Sequence, residues 1–270
     1  KLTRFLAMPE ADSSGSGRRK VLGRGGQATV YSISPTLAQK QFKKQEEFED
    51  ERRFHNFLRE NKTKYADSRL LISVRAKEED RSLIMKKMQG DMAGFCFSRL
   101  KDNVWRPYNL SDIDVMRMLL TMAEGVEWLH DRGFVCCDLK PENFLVDHNG
   151  QVKLSDFGYT MPLEEAKRTP GDECGRTEGF SAPELYRTNQ LGKHAQKVDS
   201  YGLGTSFIYL LAEYSNAFRK LMKPELELIY SEDQKKSGMI HCNAFRKIEH
   251  GRLRSLFEGS LRQVAAQRLS

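Results

Sequence analysis

Two short stretches in the middle of the chain carry side chains suited to phosphoryl transfer. The first reads Asp-Leu-Lys-Pro-Glu-Asn and begins at Asp138, and the second, Asp-Phe-Gly, begins at Asp156. The two aspartates and Asn143 offer carboxylate and amide oxygens, which are ligands that Mg²⁺ prefers. A carboxylate can also take the proton of an attacking hydroxyl, and Lys140 could balance the charge of a migrating phosphoryl group. This set of residue types predicts a phosphoryl-transfer site.

A glycine-rich turn lies near the start of the chain, in Gly-Arg-Gly-Gly-Gln-Ala-Thr-Val from Gly23 to Val30. At Gly23, Gly25 and Gly26 the backbone N–H groups could approach a polyphosphate closely. The same composition is also typical of an ordinary flexible turn, so this motif alone leaves both interpretations open.

A lysine and a glutamate follow that turn at positions where they could form an ion pair. Lys40 ends the next predicted strand, so its ammonium could reach back beneath the glycine loop. Glu51 lies on a charged helix with Phe54 and Leu58 behind it, which would direct its carboxylate inward. The alternative is that both are solvated surface residues, since Glu51 has several acidic neighbours.

The elements around these residues predict a small β-rich region that carries one helix. Its predicted elements are strands at Thr29–Ile33, Leu37–Phe42, Leu70–Val74 and Leu83–Met85, and a helix over residues 45–61 with Phe54, Phe57 and Leu58 on one face. We expect a flexible lead-in over residues 1–17, this region over 18–88, and a larger region over 89–270 that starts with the connector Gln89-Gly90-Asp91.

The larger region is predicted to be mainly helical. Ser111 ahead of Asp114 indicates the start of a helix, and a nearly all-apolar helix is expected over Val198–Leu211. Between them, a hairpin is expected around Asn149-Gly150, with a type I′ turn. The apolar face of the first helix comprises Val115, Leu119, Met122, Val126 and Leu129.

Composition excludes several classes of protein. Apolar residues make up 39% of the 270 residues and occur along the whole chain, which excludes disordered and fibrous proteins. The net charge of +7 comes from scattered basic residues, which favours a solvated surface over a nucleic-acid or anionic-membrane footprint. The longest apolar stretch, Phe207–Ala212, is far shorter than the roughly 20 residues that span a bilayer.

The five cysteines have no paired spacing, so neither a disulfide framework nor a zinc site is expected. A reducing compartment, most simply the cytoplasm, fits this pattern. The cysteines are Cys96, Cys136, Cys137, Cys174 and Cys242.

At these motifs the chain resembles the protein kinase family, from about Val21 to its last residues. Further markers support the resemblance: Ala182-Pro183-Glu184 resembles the end of an activation segment that starts at Asp156, and Asp199 resembles the buried aspartate that ties a central helix to the catalytic loop. Arg268 resembles the family's partner of Glu184. Since the family has another helix after that arginine, and the chain begins at Lys1, we expect a piece of a longer protein.

The resemblance implies an α+β, bilobal kinase fold, with a small β-rich N-lobe that has one regulatory helix and a larger helical C-lobe. It also implies ATP and Mg²⁺ as ligands and a protein as substrate. The implied catalytic roles are phosphate binding by Lys40, held by Glu51; general base for Asp138; γ-phosphate neutralisation by Lys140; and Mg²⁺ binding by Asn143 and Asp156.

The resemblance also implies a nucleotide pocket. In the glycine loop, Ala28 stands where the family commonly has a third glycine. The implied nucleotide contacts are the loop residues Gly23, Gly25, Gly26 and Ala28; Val30, Ala38 and Leu145 around the adenine; Met85 as gatekeeper; the hinge from Lys86 to Met88; and Asp91 at the ribose.

One departure from the family concerns regulation. Cys136-Cys137-Asp138 replaces the usual His-Arg-Asp, and the missing arginine commonly binds an activation-segment phosphate. We therefore expect activity that does not depend on that phosphate. Cys136 is expected in an apolar stack with Phe157, His55 is expected to be a core histidine, and a disulfide between adjacent cysteines would be strained.

Three functions remain to be distinguished. The main hypothesis is an active Ser/Thr kinase, because Lys140 and Thr177, expected to contact Asp138, bracket the base in that class. Cys136, Cys137 and Ala28 suggest as an alternative a pseudokinase that acts as a binding scaffold. A small-molecule kinase of related fold should lack Ala-Pro-Glu and the Asp199 anchor. A regulatory protein partner is a further possibility, for which residues 213–262 offer no readable motif.

Overall fold

A computed structural model describes residues 19–97, 112–186, 190–214 and 220 of this chain. The chain forms two compact units. The first comprises the chain up to Asp91 together with Phe144–Gly158, and the second comprises Met92–Asn143 and the chain from Tyr159 onward. The sequence analysis assigns residues 18–88 to the smaller region and 89–270 to the larger one, whereas Phe144–Gly158 clusters with the first unit.

Strands dominate the first unit and helices the second, which confirms the α+β class. The strands are β1 (Val21–Arg24), β2 (Ala28–Ser32), β3 (Leu37–Phe42), β4 (Arg75–Lys77), β5 (Ser82–Lys86), β6 (Gly90–Asp91), β7 (Phe134–Val135), β8 (Phe144–Val146), β9 (Val152–Leu154) and β10 (Met161–Pro162). The α-helices are α1 (Gln45–Glu60), α2 (Lys64–Arg69), α3 (Met92–Phe97), α4 (Asp112–His130), α5 (Leu163–Ala166) and α6 (Lys197–Tyr214). Single 3₁₀ turns occur at Pro141–Asn143, Pro183–Tyr186 and Gly192–His194.

The main sheet of the first unit is antiparallel, with strand order β1-β2-β3-β5-β4. The register places Val30 opposite Lys40 and Ala38 opposite Met85. Helix α1 buries Phe54 and Leu58 as predicted, whereas Phe57 stays half exposed at the margin of the buried face. This packing places Glu51, on the same face of α1, inside the unit.

The predicted strand Leu70–Val74 is wrong. Within residues 70–74, only Leu70 forms a β-bridge, an isolated parallel one with Leu154. The strand in this part of the chain is β4, which begins at Arg75. Helix α2, which the sequence analysis missed, precedes this segment, and the side chain of Thr63 caps its N-terminus. Leu70 and the two residues after it are buried but form no β-ladder. A short apolar run in a sequence does not by itself distinguish a buried strand from a buried segment outside a sheet.

The hairpin of β8 and β9 is confirmed, but its turn is not of type I′. The amide of Gly150 donates to the carbonyl of Asp147 at 2.9 Å, and φ is positive at Gly150 but not at His148 or Asn149. This is a type I turn followed by a left-handed glycine. The Asp147 carboxylate favours this form, because its Oδ1 accepts the amides of Asn149 at 2.8 Å and Gln151 at 2.9 Å.

The second unit is built mainly on α4 and α6. The predicted apolar face of α4 is buried, from Val115 to Leu129, and α6 is buried on nearly every side. Both helix predictions are confirmed. Within the described ranges, no helix combines the length and apolar character needed to cross a membrane.

Candidate active site

The glycine loop connects β1 to β2 and is exposed at its three glycines. The amide of Gly25 donates to the carbonyl of Ala28 at 2.9 Å, and Ala28 is buried at the start of β2. The Lys43 ammonium donates to the carbonyls of Gly25 at 3.0 Å and Gly26 at 2.7 Å. These bonds hold the loop over the end of β3, and the sequence analysis did not identify Lys43.

The residues expected around the adenine belong to one apolar cluster of the first unit. Its buried part contains Ala28, Ala38 and Met85, and Val30, Met88 and Leu145 pack against it half exposed. Leu145 reaches this cluster because β8 belongs to the first unit. Asp91 is paired with Leu145 across β6 and β8. The cluster therefore brings together residues that lie far apart in the sequence.

Lys40 lies between two carboxylates. Its Nζ donates to both oxygens of Glu51, at 2.8 and 2.7 Å, and to Oδ1 of Asp156 at 2.7 Å. The Lys40 side chain is 11% exposed and that of Glu51 is 1% exposed, whereas that of Asp156 is 43% exposed. The ion pair predicted for Lys40 and Glu51 is thus present.

Two opposing effects act on the pKa of Lys40. Burial alone would lower this pKa, because it removes water from the ammonium. The negative charges and hydrogen bonds of Glu51 and Asp156 outweigh burial and raise the pKa above its ordinary value. Lys40 therefore remains a cation throughout the physiological pH range.

His55 lies one turn beyond Glu51, in the core of the first unit. The His55 ring lies edge-on to the Phe157 ring, with 5.4 Å between the two centroids. The centroid of the Phe54 ring lies 5.0 Å from that of Phe157. The amide of Ser73 donates to Nδ1 of His55 at 3.1 Å, so the neutral ring carries its proton on Nε2. Burial lowers the pKa of His55. The prediction of a core histidine is confirmed.

The catalytic loop of the second unit holds a second group of charges. Asp138 Oδ1 accepts the hydroxyl of Thr177 at 2.7 Å, and Oδ2 accepts Nζ of Lys140 at 2.6 Å. Lys140 also donates to the hydroxyl oxygen of Thr177 at 2.9 Å. The predicted contact of Thr177 with Asp138 and Lys140 is confirmed. A carboxylate and an ammonium group thus both form hydrogen bonds with the hydroxyl of Thr177.

The chemistry of Asn143 and Asp156 fits Mg²⁺. Asn143 is buried in a 3₁₀ turn, where its Nδ2 donates to the carbonyl of Asp138 at 2.7 Å, which fixes the orientation of the amide. Its Oδ1 and the half-exposed carboxylate of Asp156 are both oxygen donors of the kind that Mg²⁺ prefers. Asn143 belongs to the second unit and Asp156 to the first.

Asp199 anchors the backbone of the catalytic loop, as predicted. Its carboxylate is buried and accepts the amides of Cys136 and Cys137, each at 2.8 Å. His130 Nε2 lies 2.8 Å from the same carboxylate, a contact that the sequence analysis missed. Cys137 has a φ of +66°, a strained value for this residue type, and Asp199 holds it there.

The activation segment returns to the catalytic loop at Gly175. Cys137 and Cys174, which precede the two contacting residues, are both buried. A Cβ atom at Gly175 would lie 2.5 Å from Cβ of Asp138 and 2.7 Å from the ring of Tyr159, so only glycine fits. Sequence reasoning missed Gly175 because nothing in its local spacing relates it to Asp138. Arg268, the expected partner of Glu184, lies outside the described residues.

Comparison with protein families agrees with this geometry. The model for the protein kinase domain matches residues 17–270. The match includes both compact units.

Curated relatives include three kinases matched over part of the chain. The serine/threonine-protein kinase RUNKEL of Arabidopsis thaliana is 39% identical over 35% of this chain. The liver/testis phosphorylase b kinase gamma catalytic chain of Bos taurus is 36% identical over 38%, and CBL-interacting protein kinase 10 of rice is 34% identical over 48%. The matched parts are only 7%, 26% and 28% of those proteins.

Proposed function

This chain belongs to the protein kinase family, and we propose that it transfers the γ-phosphoryl group of ATP to serine and threonine hydroxyls of proteins. One observation carries this proposal: Asp138 accepts the hydroxyl of Thr177 while Lys140 contacts the same oxygen. This pair therefore recognises an aliphatic alcohol, the chemical group that a Ser/Thr kinase must hold. The relative RUNKEL, which is named as a serine/threonine-protein kinase, supports the same class.

In this proposal the catalytic loop orients and deprotonates the acceptor. Asp138 accepts a hydrogen bond from the substrate hydroxyl and takes its proton as the oxygen attacks. Lys140, within 2.6 Å of that carboxylate, balances negative charge on the moving phosphoryl group. Thr177, whose hydroxyl contacts both Asp138 and Lys140, helps to hold these two side chains in place.

The first unit supplies the groups that hold the nucleotide. Lys40, kept charged and oriented by Glu51, binds the α- and β-phosphates, and the amides of Gly23, Gly25 and Gly26 approach the phosphate oxygens. Asn143 and Asp156 would hold a Mg²⁺ ion, which would neutralise phosphate charge. The apolar cluster with Ala28, Val30, Ala38, Met85, Met88 and Leu145 contacts the adenine, and Asp91 contacts the ribose.

The proposal includes activity without a phosphorylated activation segment. A thiol at position 137 cannot form the charge-assisted bonds that an arginine makes to a phosphate. The segment has other attachments to the catalytic loop: the hydroxyl of Thr177 and the close approach of Gly175 to Asp138. These geometric contacts, at Thr177 and Gly175, support a segment that is held without a phosphate.

A direct assay tests the proposed function. The purified chain is incubated with labelled Mg-ATP and a generic basic protein, beside the isosteric variant Asp156→Asn. We expect label on serine and threonine of the acceptor with the wild type and at least a hundredfold less with the variant.

A thermal melt distinguishes a kinase from a scaffold. Ligand that binds only the folded state raises the melting temperature. A clear shift with Mg-ATP but no transfer to any acceptor would support the pseudokinase alternative. Transfer to tyrosine alone would overturn the proposed specificity.

A further inference from the structure

The side chain of Gln27, at the tip of the glycine loop, reaches the glycine of the Asp-Phe-Gly motif. A Cβ atom at Gly158 would lie only 2.7 Å from Oε1 of Gln27 and 3.6 Å from its Cδ. The carboxamide therefore lies directly against the backbone of Gly158. Both residues belong to the first unit. None of the nucleotide contacts described above involves this side chain.

Hydrogen bonds hold the backbone around Gln27. Its carbonyl accepts the amide of Lys43 at 2.9 Å, and the Lys43 ammonium donates to the carbonyl of Gly26 at 2.7 Å. The amide of Gly25 donates to the carbonyl of Ala28 at 2.9 Å, across the tip of the loop. Because these bonds tie the tip to the end of β3, the backbone sets the direction in which the Gln27 side chain leaves the loop.

The Gln27 carboxamide is a near neighbour of the charged group around Lys40. The Cβ position at Gly158 that lies next to Gln27 is also 3.5 Å from Oε2 of Glu51. That oxygen accepts Nζ of Lys40 at 2.7 Å, and Asp156 accepts the same ammonium at 2.7 Å. The glycine loop thus brings a neutral polar group beside two carboxylates and a cation.

The hydrogen-bonding groups of this carboxamide are available to a ligand. Gln27 is half-buried, and within the described parts of the chain its side chain forms no hydrogen bond. A primary amide offers two N–H donors and a carbonyl oxygen. Leaving such groups without partners is unfavourable where water is excluded. A ligand that accepts a hydrogen bond from Gln27 would therefore gain affinity.

We propose that the Gln27 side chain donates a hydrogen bond to the terminal phosphate of a bound nucleoside triphosphate, and that this contact distinguishes a triphosphate from a diphosphate. The inference rests on the proposed function in that it takes ATP as the ligand. It does not require phosphoryl transfer to occur.

The order of groups along the nucleotide assigns this contact to the terminal phosphate. In the proposed function the adenine lies in the apolar cluster with Ala38 and Leu145, and Lys40 binds the α- and β-phosphates. Gln27 contacts the Asp-Phe-Gly motif, whose aspartate is the proposed Mg²⁺ ligand. Since Mg²⁺ bridges the β- and γ-phosphates of ATP in kinases, a side chain at this motif is within reach of the γ-phosphate.

A neutral amide suits this position better than a charged side chain. Glu51 and Asp156 already balance Lys40, so a further cation would compete for their oxygens. A carboxylate would repel both of them and the phosphate. An amide N–H can donate to an anionic oxygen, which gives a charge-assisted bond, and leaves that balance unchanged. We therefore expect Gln27→Glu to weaken triphosphate binding more than Gln27→Ala does.

Calorimetric titration tests the proposal without requiring turnover. The full chain and the variants Gln27→Ala and Gln27→Glu are titrated with the Mg²⁺ complexes of ADP and of the non-hydrolysable β,γ-imido analogue of ATP. Gln151→Ala, at an exposed glutamine between β8 and β9, is the matched control. Thermal melts without nucleotide verify that each variant is folded.

We expect Gln27→Ala to weaken binding of the triphosphate analogue by about tenfold, the usual contribution of a hydrogen bond to a charged group. Its binding of ADP should stay within about twofold of the wild type, because ADP lacks the phosphate that Gln27 contacts. Gln27→Glu should weaken binding of the analogue further, and Gln151→Ala should change the binding of neither nucleotide.

Equal losses for both nucleotides in Gln27→Ala would indicate a general effect on the glycine loop and would overturn the proposal. Unchanged or tighter binding of the analogue would also overturn it, since Gln27 would then contribute nothing to binding or would obstruct it. If the variants behave as expected but the wild type phosphorylates no acceptor, the proposed kinase reaction is wrong and the contact of Gln27 stands. If the wild type binds neither nucleotide, the nucleotide site and the contact of Gln27 are both wrong.

Discussion

Each of the two units contains a lysine whose ammonium contacts carboxylate oxygens, but in different surroundings. In the first unit Lys40 contacts Glu51 and Asp156, and the Glu51 side chain is 1% exposed. In the second unit Lys140 contacts Asp138 and the hydroxyl of Thr177, and its side chain is 21% exposed. Lys40 is balanced by one buried carboxylate and one half-exposed carboxylate, whereas Lys140 contacts a single carboxylate and is itself partly exposed.

This difference separates stability from catalysis. A buried ion pair that loses one partner leaves an uncompensated charge, which strongly destabilises the fold. A pair that keeps some contact with water loses less, since solvent screens the remaining charge. Removing the charge of Lys40 is therefore expected to lower both the stability of the fold and the reaction rate. Removing the charge of Asp138 is expected to lower mainly the reaction rate.

The largest expected effect is that of Lys40→Met. It removes the cation from the buried Glu51, so the free energy of unfolding should fall by about 3–5 kcal/mol. Phosphoryl transfer should fall by at least about a hundredfold, because the α- and β-phosphates lose their cation. Urea unfolding and a transfer assay measure the two effects.

A matched control is Lys62→Met, at a lysine whose side chain is 50% exposed and paired with Asp67 at 3.1 Å. A surface pair of this kind contributes about 0–1 kcal/mol. If Lys40→Met were no more destabilising than Lys62→Met, the buried group would not have the structural role described here.

Asp138→Asn should separate rate from stability. The amide can still accept the hydroxyl of Thr177, but it cannot take the substrate proton, so transfer should fall by at least about a hundredfold. The loss in unfolding free energy should be smaller than for Lys40→Met, because Lys140 keeps access to water. Turnover and urea unfolding are compared with those of Asp131→Asn, at an exposed aspartate, which should leave both unchanged. Near wild-type turnover would show that Asp138 is not the base.

The pH dependence of the free energy of unfolding should reveal the protonation of His55, whose ring lies beside the buried carboxylate of Glu51. Because the folded pKa of His55 lies below its unfolded value of about 6.5, the unfolded chain binds the proton more tightly. Its stabilising contribution is complete above about pH 6.5 and is lost as the pH falls through that value. Glu51 opposes this shift, whereas Lys40 and Arg59 add to it.

Urea unfolding between pH 7.5 and 5.5 measures this contribution. His55→Asn keeps an acceptor for the Ser73 amide without a titrating ring, and it should flatten the pH profile relative to the wild type. The exposed His148, changed to Asn, should leave the profile unchanged. Equal slopes for the wild type and His55→Asn would contradict the buried neutral histidine.

The smallest expected effect is that of Thr169→Ala in the activation segment. The hydroxyl of Thr169 donates to the carbonyl of Glu165 at 2.9 Å, and Cys137 offers no cation for a phosphate at this position. We expect the rate to stay within about threefold of the wild type, a barrier change of about 0.65 kcal/mol or less. Phosphatase treatment should have an equally small effect. A tenfold loss with the fold intact would show that another cation replaces the missing arginine.

Much of the fold was predictable because local periodicity reflects which face of an element is buried. Helices α4 and α6 and the hairpin of β8 and β9 followed from apolar spacing and from one Asn-Gly pair. The strand at Arg75–Lys77 was not predictable in this way, since an apolar run beginning at Leu70 is buried without a ladder. The turn at Gly150 depended on where the Asp147 carboxylate points.

The sequence by itself determined the chemistry of this protein: its motifs specify which residue types are present and in what order, and those types suit phosphoryl transfer. Only the tertiary structure decided that Lys40 lies between two carboxylates, that Lys43 holds the glycine loop and that Gly175 packs against Asp138. The physical reason is distance along the chain. Periodicity and capping act between near neighbours, whereas these contacts join segments that meet only after the core has packed.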